Sequence, residues 1–181
     1  MGDHNLWCKH TNFEQATRSP LIISAPGIKA SKTNSPTEFV DVFPTLCDLA
    51  NVPVPSHLDG KSLVRIMKNP KQKVKQFAVS QYPRSGTNIE KERLGYADGK
   101  CMGYSIRTER YRYTMWMKDN FRTNRAYDKS LVVATELYDY QKDPNETVNV
   151  ANDYNYKRIS KDLNDKMLNY FDDQRIKLNN K

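Results

Sequence analysis

Hydrophobic positions follow two different patterns along this chain. Between residues 20 and 70 they form one short continuous run and then recur at helical spacing; between 76 and 140 they alternate, before a helical period returns near the end. The run Pro20-Leu21-Ile22-Ile23-Ser24-Ala25-Pro26-Gly27 predicts a buried strand of the parallel kind, covered on both faces. Ser35-Pro36-Thr37-Glu38 reads as a capping box with proline at the first helical position. Phe39, Val42, Phe43, Leu46 and Leu49 then fall on one helical face. Pro44 has no N–H to donate and should kink or restart this helix, and Pro53 and Pro55 end it. An earlier capping box, Thr11-x-x-Glu14, predicts a short helix or turn from Asn12 to Thr17. Asp59-Gly60 predicts a turn before a helical piece carrying Leu63, Ile66 and Met67.

Lys68 to Lys75 forms a basic linker and places a domain boundary near residue 70, giving domains 1–70 and 71–181. Beyond it Gln76 to Tyr82 predicts a strand and Pro83 to Gly99 a long polar loop. Met102 to Met117 predicts a hairpin, because Tyr104, Ile106 and Thr108 alternate with polar residues and the alternation resumes at Tyr111, Tyr113 and Met115 after Glu109-Arg110. Asn120 to Ser130 is a second polar loop. Thr135 to Tyr140 predicts a further strand, stopped by Asp143-Pro144-Asn145, and Ile159, Leu163, Met167, Tyr170 and Phe171 stripe a C-terminal helix. Strand followed by helix makes the first part α/β. Hairpin strands followed by one helix make the second a small α+β subdomain, an antiparallel sheet with the helix on one face.

Composition narrows this. Only 38% of the 181 residues are hydrophobic, which predicts a thin layered domain or a piece of a larger body. No apolar run approaches the ~20 residues of a membrane span, and no basic-then-apolar signal pattern is visible at the start. The net charge of +8 favours anionic partners. Lys68, Lys71, Lys73 and Lys75 are the densest basic cluster but carry no interleaved aromatics, so a nucleic-acid face is not expected. Cys8, Cys47 and Cys101 show neither CxxC nor metal spacing, and Cys47 in an apolar helix reads as a buried free thiol.

The groups able to do chemistry crowd into Gly2 to Glu14. Asp3-His4 could begin a metal shell, but a hydrogen-bonded loop histidine is the better reading where nothing completes the shell. Lys9 could present a point charge to a sulfate or phosphate, or simply face solvent. His10 could act as a general acid or bond to backbone at a helix start. Nothing activates or orients Cys8 and His10 as a nucleophile pair. Arg107 and Arg112 could bind an anion, but such arginines more often pair with Glu109 or Asp139.

Gly2-Asp3-His4-Asn5-Leu6-Trp7-Cys8-Lys9-His10-Thr11-Asn12-Phe13-Glu14, with Ala16 to Ile22, resembles the loop and strand late in the catalytic domain of sulfatases, in particular the iduronate-2-sulfatase group. Phe39 to Leu46, Asp59 to Leu63, Met102 to Thr108, Tyr111 to Thr114, Glu136 to Asp139 and Asp143-Pro144 resemble the elements that follow there, in the same order. The resemblance implies the C-terminal part of an alkaline-phosphatase-like α/β domain plus a small antiparallel subdomain. It implies hydrolysis of sulfate esters on uronate-containing polysaccharides by Ca²⁺ and a formylglycine nucleophile. Lys9 then matches the lysine that contacts the substrate sulfate, with Trp7 and His10 beside it as pocket residues. Asp3 and His4 match the second acidic–His pair rather than the ligands, so no metal ligand is expected here. The Ca²⁺ ligands lie upstream in the family, and the nucleophile motif, Cys or Ser followed by x-Pro-Ser-Arg, is absent from this chain.

These readings predict a sulfatase fragment, inactive alone, whose partners are a sulfated polysaccharide and the missing N-terminal half. They predict a first 70 residues that fold poorly alone, and a periplasmic, extracellular or lysosomal setting. Asn145-Glu146-Thr147 is a glycosylation sequon whose meaning depends on that setting. The alternatives are a non-catalytic module binding sulfated polysaccharide through Lys68 to Lys75 and the aromatic hairpin, or, on charge alone, a nucleic-acid-binding protein.

Overall fold

The alternating residues do form a sheet. In the computed structural model, which describes residues 4, 10–85, 100–118 and 127–179, four strands lie in the order β1 (Ala78–Ser85), β2 (Lys100–Arg107), β3 (Tyr111–Lys118) and β4 (Val132–Asp139). β3 and β4 run antiparallel, with Tyr111 opposite Asp139, Tyr113 opposite Leu137 and Met115 opposite Thr135, and the register breaks between Trp116 and Met117. Only three residues, Thr108 to Arg110, join β2 to β3, so that pair is a hairpin. Among the described residues four α-helices accompany the strands: α1 (Glu14–Thr17), α2 (Val42–Leu49), α3 (Val64–Lys68) and α4 (Lys157–Asn179).

Contacts divide the chain into two compact units. The first holds residues 1–18, 80–106 and 110–181; the second holds 19–79 and 107–109. In the first, period-two alternation gives the sheet two unlike faces. One face is apolar and meets α4: Tyr104 stands edge-on to Phe171, and the Tyr113 hydroxyl bonds Asn164. Ile106, Met115 and Leu137 share the parity of this face, and Leu163, Met167 and Phe171 recur on α4 at the spacing of one helical stripe. The other face carries Ser105, Arg112, Thr114, Trp116, Glu136 and Tyr138, and the segment from Asn12 to Thr17 lies on it.

The second unit is organised around a carboxylate. Asp41, fully buried, accepts from the backbone N–H of Glu38 at 2.8 Å and of Lys61 at 2.9 Å, and from Lys75 Nζ at 2.8 Å. Glu38 pairs with the same lysine and accepts the Val79 N–H at 2.8 Å. Thr45 Oγ1 bonds the Asp41 carbonyl at 2.6 Å and accepts the Leu63 N–H at 2.9 Å. The buried apolar residues of this unit are few, Pro44, Leu63, Val64 and Ile66.

Several expectations shift. Residues 20–27 contain the turn at Pro26-Gly27, with Gly27 at φ +74°, but form no strand; Leu21 and Ile22 are exposed. A parallel strand needs neighbours on either side to satisfy its backbone, and the described residues supply none. The second capping box sits three residues later than predicted. Glu38 is the N-cap and Asp41 its reciprocal partner, opening a 3-10 turn over Phe39–Asp41 that passes into α2. Pro44 falls in the first turn of α2, where its missing N–H leaves no bond unmade. Thr11 takes only the N–H of Phe13, at 3.3 Å, because the Glu14 side chain turns instead to an arginine across the sheet. Cys47 is half-buried on α2, whereas Cys101 is the deeply buried thiol, packed on Trp116.

Candidate active-site loop and its platform

The polar sheet face is held by Arg112, which is 1% exposed. Its Nε donates to Glu146 Oε1 at 2.6 Å and to the Tyr140 hydroxyl at 2.8 Å. Its Nη2 donates to Glu14 Oε2 at 2.7 Å and Thr17 Oγ1 at 3.0 Å, and its Nη1 reaches Ser105 Oγ at 3.4 Å. Glu146 Oε2 in turn accepts the backbone N–H of Glu14 at 2.7 Å. Burial works against the guanidinium charge, and Tyr140, Glu146 and Glu14 restore it, so its pKa stands above the ordinary value. Burial also pushes the Tyr140 phenol up, with Glu146 adding to the effect, which keeps it a neutral donor. Helix α1 is therefore tied to the sheet by an ionic fork rather than by an apolar stripe.

The residues just before α1 share this support. Asn12, buried, donates from Nδ2 to the Gly103 carbonyl at 3.0 Å and accepts from Ser80 Oγ at 3.0 Å. Phe13 packs edge-on against Tyr138, with ring centroids 5.8 Å apart. His4 stacks on Phe13 at 4.0 Å and takes a left-handed backbone conformation, φ +54°. His10 is exposed and lies parallel to the Tyr82 ring, centroids 5.6 Å apart. So the flanks of the predicted site loop are fixed on the sheet's polar face. Trp7, Cys8 and Lys9, like Asp3, lie outside the described residues, as do 86–99 of the predicted polar loop and 120–126 of the next.

A second group extends this platform. Arg84 lies over the Trp116 ring, 4.6 Å from its centroid, and Glu136 takes a hydrogen bond from the Trp116 side chain. Burial raises the Glu136 pKa, and the Arg84 charge and the Trp116 bond oppose that rise. Gly103 is required beneath this tryptophan, since a Cβ there would lie 2.6 Å from the Trp116 ring.

The expected ion partners are redistributed. Arg110, not Arg107 or Arg112, grips Asp139 through two bonds of 2.8 and 2.7 Å, while Glu109 pairs with Lys73 at 2.9 Å. Lys75 is only 12% exposed and committed to Glu38 and Asp41. Within the cluster from Lys68 to Lys75, Lys73 and Lys75 are thus held in ion pairs, while Lys68 and Lys71 are exposed.

The described residues do not fit a calcium ion, because no three His, Cys, Asp or Glu side chains among them could hold a metal. Two close carboxylate pairs among the described residues, Glu14 with Glu146 and Glu38 with Asp41, are already taken up by Arg112 and Lys75. No cysteine or serine in the sequence is followed by x-Pro-Ser-Arg, so the formylglycine motif is not carried here. Pattern reasoning missed Glu14 and Glu146 as the partners of Arg112. Glu146 sits in a turn at φ +56° between Asp143-Pro144 and Thr147, and only its glutamate identity in a turn position hinted at such a role.

Residues 2–173 match the family described as N-sulphoglucosamine sulphohydrolase, C-terminal. The Delta 4,5-hexuronate-2-O-sulfatase of Bacteroides thetaiotaomicron is 32% identical over 167 residues, 88% of this chain and 30% of the relative. Human iduronate 2-sulfatase is 33% identical over an alignment of 209 residues, 84% of this chain and 36% of the relative. The phosphonate monoester hydrolase SpPMH from Silicibacter pomeroyi superposes with a TM-score of 0.69 at 25% identity, covering 93% of this chain and 32% of that one. The chain therefore spans about a third of the length of the relatives it matches. With a C-terminal family profile matched from residue 2 to 173 and relatives of 32% and 33% identity over more than four-fifths of the chain, the chain belongs to the sulfatase family.

Proposed function

We propose that this chain forms the C-terminal portion of a sulfuric ester hydrolase that removes sulfate from uronate-containing polysaccharides. Both curated relatives described above are named for 2-O-sulfated hexuronates, and that likeness carries the reading. In family terms residues 1–70 complete the catalytic α/β domain and 71–181 form the small subdomain. Residues 12–17 are nonetheless fastened to the sheet of the latter.

In this reading Lys9 contacts the sulfate, supplying a compact positive charge to oxygens that gain charge as the ester bond breaks. Trp7 and His10 line the same pocket, and His10 is supported from behind by Tyr82. The nucleophile and the Ca²⁺ ligands come from the portion of the enzyme preceding the matched region, so this chain alone hydrolyses nothing. An exported or lysosomal setting goes with that activity; among the described residues no helix is long and apolar enough to cross a membrane.

The test is sulfate release from a 2-O-sulfated unsaturated uronate disaccharide with calcium present. The 181-residue chain should give the blank rate, and turnover above it would refute the division of labour. Binding of the same disaccharide, followed by amide chemical shifts around His10 and Asn12, should weaken when the 2-O-sulfate is removed. Equal shifts with and without the sulfate would remove Lys9 from its role.

A further inference from the structure

Arg84 stands apart from Arg110 and Arg112. Those two are committed to carboxylates, Arg110 to Asp139 and Arg112 to Glu14 and Glu146. Arg84, half-buried near the end of β1, makes no ion pair or hydrogen bond among the described residues. A ring holds it instead: its Cζ lies 4.6 Å from the centroid of Trp116. Such a contact fixes a guanidinium without using its N–H donors. The ring is itself seated, since Trp116 is 3% exposed, lies against Gly103 and bonds Glu136 through its side chain. Glu136 feels the Arg84 charge but is occupied by that bond. The site loop runs along the same strand. Asn12 meets Ser80 and His10 stacks on Tyr82, so moving back along the loop is moving forward along β1. Ser80, Tyr82 and Arg84 alternate onto one face, and Arg84 comes next, about 6.6 Å beyond Tyr82.

We infer that Arg84 takes the carboxylate of the hexuronate whose 2-O-sulfate sits beside His10, and so selects uronates over neutral sugars. The inference rests on the sulfatase reading above and gives the sugar's second acidic group its partner. C2 and C5 stand opposite each other on a pyranose ring, so the sulfate and the carboxylate leave one sugar at opposite ends. The strand repeat that separates Tyr82 from Arg84 is on the scale of that ring. The unused N–H edge of a guanidinium matches a carboxylate through two parallel hydrogen bonds. Because the indole already holds Arg84 in place, little side-chain freedom is left to lose on binding. A sugar with a neutral group at C5 would leave those donors without their anion, which is how a polar site rejects an analogue.

The test titrates the isotope-labelled 181-residue chain with three compounds, following the Trp116 indole N–H and the His10 amide by NMR. They are an unsaturated uronate disaccharide whose only sulfate is the 2-O-sulfate, its carboxyl methyl ester, and the desulfated acid. The parent should bind the ester roughly tenfold more weakly than the acid, as loss of a charge-assisted pair of hydrogen bonds implies. The acid should shift the Trp116 indole signal. Arg84→Gln should bind acid and ester alike, and Arg84→Lys should recover only part of the difference. The acid–ester comparison is made on the parent and does not depend on either variant folding. Equal affinity of the parent for acid and ester, no shift at Trp116 with millimolar acid, or a folded Arg84→Gln that still prefers the acid would each overturn the contact. A parent that prefers the acid yet binds the desulfated compound equally well leaves the carboxylate contact standing and refutes the sulfatase reading of the loop instead.

Discussion

Replacing Arg112 by methionine removes the cation that bridges Glu14 and Glu146 on the polar sheet face, leaving Glu14 the exposed Arg18 at 3.5 Å. Glu146 is fully buried and the Glu14 side chain is 14% exposed, so neither can be rehydrated without opening α1. Hydrogen bonds to charged groups are worth about 1.5–3 kcal/mol each in mutational series. Four of the arginine's partners lie within 3.0 Å, but their sum is not the cost, since each bond replaces one with water. Stranding a buried charge sets the scale, about 3–5 kcal/mol. That is a large fraction of a total stability of about 5–15 kcal/mol. Urea unfolding followed by circular dichroism should show Arg112→Met lowering the midpoint by that amount with little change in slope. Arg112→Lys should recover only part, because an ammonium cannot reproduce the fork that spans both acids. Glu146→Leu added to Arg112→Met should restore most of the loss. A single variant within about 1 kcal/mol of the parent, or a double variant no better than the single, would refute the account of the fork as the tie that holds α1.

Gly103→Ala should push the Trp116 ring off its seat, costing about 1–3 kcal/mol and shifting tryptophan fluorescence; an unchanged melt and spectrum would mean the ring is free to move. Asp139, buried and gripped first by Arg110 and then by Tyr156, is held down to about 2 from an ordinary value of 3.8. A carboxylate with a lowered pKa adds stability above its unfolded pKa and loses it as pH falls toward the folded one. The loss between pH 4 and pH 2 should be about 1–2 kcal/mol, reduced because Arg110 is 44% exposed, and Asp139→Asn should flatten it in urea titrations. Glu136 runs the other way: burial raises its pKa, so its share of stability is present at low pH and is lost as pH rises through the folded value. Glu136→Gln should therefore flatten the profile above the ordinary carboxylate range, and a steeper fall there would contradict burial as the cause.

What the sequence makes legible is the sheet and its helix, because these carry their own period. Tyr104, Ile106, Tyr113 and Met115 alternate, and they face Leu163, Met167 and Phe171 as the stripe on α4 requires. The polar face is not legible in the same way. In Tyr111-Arg112-Tyr113-Thr114 the alternation correctly separates two faces, but period alone marks the Arg112 side as solvent-facing. In the structure β3 is buried on both sides. What buries the polar side is a segment 98 residues earlier, Glu14, and a turn 34 residues later, Glu146. Such partners obey no local spacing. The same holds for Lys75, whose position in a lysine-rich stretch suggests a solvated charge while Glu38 and Asp41 enclose it. The apolar run at 20–26 shows the converse. Its pattern describes a burial that the described residues do not provide.

The choice of an ionic fork over an apolar contact has a consequence for the loop it anchors. An apolar stripe tolerates sliding by a residue, since one methyl group substitutes for another. The guanidinium of Arg112 offers donors in fixed directions, and Glu14, Thr17, Glu146 and Tyr140 satisfy them in one placement of α1 only. Buried ion pairs are weak sources of stability relative to well-packed apolar groups and can contribute uniqueness instead. We take that to be their role here, because α1 is a single turn with no buried residue of its own and begins four residues after His10. The double variant Arg112→Met with Glu146→Leu separates the two roles. It should regain stability yet leave the amides from Phe13 to Thr17 exchanging with solvent much faster than in the parent, since packing restored without direction leaves α1 free to shift. Slow, parent-like exchange in a restabilised double variant would show that the apolar sheet contacts alone position the loop.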